Sequence, residues 1–84
     1  MPSRMIRPTR HAEEAVEKRN IALDWIDRTV TMPDFNDIDP GDPTLKRSFE
    51  AIDEADGRIL RVVHRAEGND IVVVTVHFDR NAKR

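Results

Sequence analysis

The chain has 84 residues, no cysteine and a formal net charge of −2. That length makes one domain, 1–84, which buries only about 60–65% of its unfolded surface around a small core. Disulfides and cysteine-ligated metal are excluded, no apolar run reaches the roughly 18 residues needed to span a membrane, and the basic start MPSRMIRPTR lacks the apolar stretch of a secretory signal.

A cytoplasmic bacterial protein with no membrane partner is the simplest expectation. Charge is unevenly spread. Residues 1–33 carry six basic and five acidic groups, residues 34–56 two and eight, and residues 57–84 six and three. A strong electrostatic footprint for nucleic acid is absent. A local basic patch from Arg58, Arg61, Arg65, Arg80, Lys83 and Arg84 remains open.

Residues 1–8 read as an extended arm ending at Pro8, and residues 9–32 as a helical hairpin. Thr9 is an N-cap, and Ala12, Ala15 and Val16 recur at helical spacing up to Arg19. Asn20 is a left-handed stop, and Ile21 is the apolar residue that folds back after it. The second helix spans about residues 22–31, with a stripe of Leu23, Ile26 and Val30 widened by Trp25 and Met32. Pro33 ends it. DFNDIDPGDPT is an irregular acidic loop with room for a short strand at 35–38.

Strands follow at 45–52, 58–65 and 71–78, joined by turns at Asp56-Gly57 and at residues 66–70. The polar tail is 79–84. Helices first and strands last predict an α+β fold, with two N-terminal helices packed on one face of a three- to four-stranded antiparallel sheet over 35–78.

Strand residues alternate faces. Val72, Val74, Val76 and Phe78 are read as the row facing the helices, with Leu60 and Val62 beside them. Arg61, Arg65, Thr75 and His77 then share the other face. Phe49 and Ile52 compete for the core, so the direction of Arg47, which shares parity with Phe49, stays open. Such a face fits a polyanion-binding or RNA-cleaving platform. Arginine would clamp phosphate and histidine would move protons near neutrality. The more usual role of such arginines and of His77 is on a solvated sheet surface. His64 reads as a hydrogen-bonded core residue. His11 sits in the first turn of helix 1, where a polar structural role is as natural as a chemical one. His11, His64 and His77 lack local metal-ligand spacing, and the aspartates at 34, 37, 39 and 42 do not match a calcium loop. No cofactor is expected.

Ordered pieces of the chain are familiar: His11-Ala12, Arg19-Asn20-Ile21, Trp25-Ile26, Pro33, Lys46-Arg47-x-Phe49, Gly57-Arg58-x-Leu60-Arg61-Val62-Val63, Val74-Thr75 and Phe78-Asp79-Arg80. Together they resemble a bacterial family of domains of unknown function, the one numbered 4258, over residues 6–83. That family looks like a branch of the RelE- and barnase-like superfamily of small ribonuclease and toxin domains. The resemblance implies a RelE-like fold and a toxin-type, metal-independent endoribonuclease. RNA would be the substrate and an antitoxin protein the partner. It points to His11, Arg47, Arg61 and Thr75 as site residues, and His77 stands where the family prefers an aromatic. Ala15 stands where the family commonly has Arg, and Asn20 where it has Gly. The loss of a basic group at 15 and the acidic net charge motivate the alternative, a non-catalytic interaction domain or homodimer.

Overall fold

A computed structural model describes residues 5–79. The elements in order are β1 (Ile6–Pro8), α1 (Arg10–Arg19), α2 (Leu23–Thr31), β2 (Phe35–Ile38), β3 (Lys46–Ile52), β4 (Arg58–Glu67) and β5 (Asp70–Phe78), with a 3₁₀ turn at Asp53–Ala55 between β3 and β4. The sheet has five strands in the order β1-β5-β4-β3-β2. It is mixed rather than purely antiparallel, because β1 runs parallel to β5 while the other pairs are antiparallel.

The fifth strand lies in the expected N-terminal arm. Its three residues, Ile-Arg-Pro, carry no strand pattern of their own. The free edge of β5 templates them, in the register Ile6↔Ile71, Arg7↔Val72 and Pro8↔Val73. Proline is tolerated because β1 is an edge strand.

Helix α1 starts and stops as its caps dictate. The Thr9 hydroxyl accepts from the Ala12 N–H at 3.2 Å. Asn20 adopts φ 54°, and the Ile21 N–H returns to the Val16 carbonyl at 3.0 Å. Ile21 is buried there. In α2 the buried stripe is Ile26 and Thr29, flanked by Trp25 and Val30. Leu23 and Met32, expected on that stripe, are 67% and 77% exposed. They sit at the two ends of the helix, past the sheet contact. The buried Thr29 hydroxyl donates to the Trp25 carbonyl at 2.7 Å, which satisfies it within its own helix.

The core joins Ala12, Ala15, Ile21 and Ile26 from the helical side to Ile52, Leu60, Val62, Val73 and Val76 from the sheet. Ile52 wins the core from Phe49. Phe49 lies on the opposite face, stacked on Phe35 with ring centroids 4.4 Å apart.

The expected inward row of β5 is corrected in its first half. The register passes from Val63↔Thr75 to His64↔Val73, so Val74 is an extra residue. This bulge reverses parity. Val76 and Phe78 face the helices as expected, but upstream of the bulge Val73 takes the core position and Val72 turns to the other face. The bulged Val74 carbonyl is taken by the Thr9 hydroxyl at 3.1 Å, while the Thr9 N–H donates to Val73 O at 2.9 Å. One residue thus caps α1 and docks it on the bulge.

Turn chemistry closes the hairpins. Asp56 (φ 59°) and Gly57 (φ 75°) are both left-handed. Gly68 (φ 63°) and Asn69 connect the closing pair Glu67↔Asp70. The acidic loop after β2 consumes its own carboxylates. Asp39 Oδ2 accepts from the Gly41 and Asp42 amides at 2.9 Å each, and Asp42 Oδ1 accepts from the Thr44 N–H and hydroxyl at 3.0 and 2.6 Å. Both Asp42 contacts stabilise the ionised form, so its pKa falls below the ordinary value. Among the described residues no helix is long and apolar enough to cross a membrane.

Candidate functional site

The sheet face away from the helices is laid out by strand register. One cross-strand row runs Phe35, Phe49, Arg61, His77. The next runs Asp37, Arg47, Val63, Thr75. Four of the five sequence-predicted residues therefore fall in two adjacent rows. The direction of Arg47 is settled, because its pairing with Val63 puts it on the Arg61 face.

Arg61 is the hub. Its Nη2 contacts Nε2 of His77, and its Nη1 lies 3.3 Å from Oδ2 of Asp79. Its Nε is buried without a hydrogen-bond partner. Guanidinium has no acceptor, so His77 Nε2 must be the unprotonated ring nitrogen and Nδ1 carries the proton. The His77 pKa agrees with a neutral ring. Burial pushes it down, and the Arg61 charge pushes further, against an upward pull from Asp79. Arg19 at the end of α1 adds a smaller downward push.

Arg47 is held by Asp37 in a two-pronged contact, Nε–Oδ1 2.7 Å and Nη2–Oδ2 2.6 Å. The hydrogen bond from Arg47 lowers the Asp37 pKa, with a smaller contribution from the Arg61 charge. Arg47 also lies over the Phe49 ring, 5.5 Å from its centroid. The two rows form one electrostatic field rather than two isolated pairs. Thr75 lies two residues before His77 on the same strand and face, about 7 Å along it.

His11 is not part of this cluster's core. It is exposed in the first turn of α1, whose start is fixed to Val73 and Val74. Arg19, eight residues and about 12 Å of helix further on, is the α1 residue that acts on His77. Sequence reading missed Asp37 and Asp79 as members of this face. Asp79 follows β5 directly, and only the sheet register brings Asp37 beside Arg47.

The described members of the expected basic patch, Arg58, Arg61 and Arg65, do not form one surface. Arg58 lies on the helix side, over the Phe78 ring at 4.1 Å, with its Nε donating to the Ala55 carbonyl at 3.1 Å. Arg65 pairs with Glu67 at 3.2 Å. Arg80, Lys83 and Arg84 lie outside the described residues.

His64 is buried and hydrogen-bonded on the inward face, as its parity anticipated, but outside the apolar core cluster. It is 8% exposed and sits 2.8 Å from the Ser48 hydroxyl through Nε2. Burial lowers its pKa, and Lys46 lowers it further. Among the described residues no three His, Asp or Glu side chains are grouped so as to hold a metal ion.

No curated protein and no solved structure matches the chain. A family model described as Domain of unknown function (DUF4258) matches residues 9–78, from the N-cap of α1 to the last residue of β5, and the chain belongs to that family.

Proposed function

We propose that the domain is RelE-like and acts as a metal-independent endoribonuclease of the toxin type, with Arg61 and His77 at its centre. The observation that supports this reading is the neutral His77 imidazole held against the Arg61 guanidinium, beside an unpaired Arg61 Nε–H. A phosphodiester entering this face offers Arg61 a better-matched anion than the carboxylate of Asp79. As Arg61 turns to the phosphate, Nε2 of His77 is freed. It takes the proton of a ribose 2′-hydroxyl, whose oxygen attacks phosphorus, and the 5′-oxygen leaves with a proton from solvent. The products are a 2′,3′-cyclic phosphate and a 5′-hydroxyl. Arg47 stabilises charge on the phosphoryl oxygens from the adjacent row. Phe35, half-buried and stacked on the buried Phe49, gives a base a flat platform. His11, at the far end of α1, has no role in this step.

The test is cleavage of a mixed-sequence RNA in the presence of a chelator. Cleavage with cyclic-phosphate ends is expected, falling at least about 100-fold in His77→Gln and Arg61→Ala. An intact RNA with folded wild-type protein refutes the reading, as does unchanged cleavage in both variants.

A further inference from the structure

The other face of the sheet carries a second polar constellation. Helix α2 ends at Thr31 and covers only part of the helix side, so the ends of β3, β4 and β5 furthest from the 3₁₀ turn extend beyond it. They floor an open-sided cleft of about 670 Å³. Lys46, Ser48, His64 and Ile71 line that floor. Lys46 and His64 are direct cross-strand partners, and Ser48 is next on the same face. Val30 and Thr31 of α2 form one wall, and Asn36 and Ile38 of β2 another.

We infer that this cleft is a binding site for a small organic anion with an apolar body. Three observations carry it. First, Ser48 and His64, 2% and 8% exposed, form a hydrogen-bonded pair at the cleft floor rather than in the closed core. Hydroxyl and imidazole can exchange donor and acceptor roles, so the pair accommodates a ligand group of either kind. Second, Lys46 lines the cleft beside them, near enough for its charge to act on His64, and the carboxylates near it are engaged, Asp70 of the lining included. Asp70 pairs with Arg7 at 3.2 Å, and Asp39 and Asp42 accept from their own loop. Third, Val30, Ile38 and Ile71 supply apolar lining, and Ile38 is 60% exposed. Volume, apolar walls and a few convergent polar groups are the attributes of a small-molecule site. The cleft is independent of the Arg61 face, since the two lie on opposite sides of the sheet.

Phenyl phosphate is the probe, followed by amide chemical shifts of the full chain, with phenol and inorganic phosphate as separate arms. Saturable shifts confined to residues near Lys46, Ser48, His64 and Ile71 are expected. Each half-probe should bind at least tenfold more weakly than phenyl phosphate. Lys46→Met should weaken phenyl phosphate about tenfold while leaving phenol unchanged. Ala66→Trp, on the exposed cleft floor, should block binding with the spectrum otherwise folded. Shifts that map to Arg61 and His77 instead, no saturable shift at millimolar probe, or full affinity in both variants overturns the proposal.

Discussion

Replacing Thr9 by valine tests the joint between helix and sheet. The substitution keeps shape and tolerates the extended backbone at φ −71°, ψ 167°. It removes only the hydroxyl. That hydroxyl accepts from the Ala12 N–H and donates to the Val74 carbonyl. Loss of an N-cap costs about 1 kcal/mol, and stranding a half-buried carbonyl costs about another 1 kcal/mol. A loss of about 2 kcal/mol lowers the midpoint of thermal unfolding by roughly 8–16 °C in a domain of this size. Thr9→Ser keeps both bonds and should lose less than about 0.5 kcal/mol. Trp25 is the only tryptophan, and its ring sits 6.3 Å from Phe78 across the helix–sheet contact, so its fluorescence in a urea titration reports this joint. If Thr9→Val stays within 0.5 kcal/mol of the parent, or Thr9→Ser falls as far as valine, the double role of the hydroxyl is wrong.

Both His64 and His77 have folded pKa values below the ordinary 6.5. Below pH 6.5 the unfolded chain therefore binds more protons than the folded one, and stability falls as pH drops through that value. Urea titrations from pH 7.5 to 5 should show this decline, and His77→Gln should flatten it; an unchanged slope contradicts the assigned protonation. Gly57→Ala meets no atom within 4 Å of its new Cβ, yet φ is +75°, so a loss of about 1 kcal/mol should appear with no change in the packing seen by near-ultraviolet circular dichroism. Leu60→Ala, at a position with no exposure, should cost about 2–5 kcal/mol in the same titration, and a loss below 1 kcal/mol would misplace the core.

What could be read from the sequence was whatever is locally encoded. Thr9 and Asn20 mark the ends of α1 because capping is a matter of one or two residues. The faces of β4 were legible because Leu60 and Val62 alternate with Arg61 and no bulge intervenes. In β5 the run Ile71 to Val74 is apolar at every position, so parity carries no signal and the Val74 bulge leaves no trace. β1 was invisible for a different reason: nothing in Ile-Arg-Pro asks to be a strand until an unpaired edge is offered. Of the site, Arg61 and His77 could be brought together by one hairpin. Arg47 needed the pairing of two further strands, and the distance separating His11 from His77 needed the helix docked.

The pairing of β1 with β5 also sets an order of events. The Thr9–Val74 contact spans 65 residues. A ribosome releases the arm and α1 well before β5, the strand that receives them. The caps can start α1 early, but its alanine face has nothing to lie on until the final hairpin emerges. Docking of α1 on this template waits for β5, and a chain truncated before Val74 leaves α1 without its seat. Contacts of such long separation slow folding. During that interval Ile21 and Ile26 are open to chaperones or to neighbouring chains.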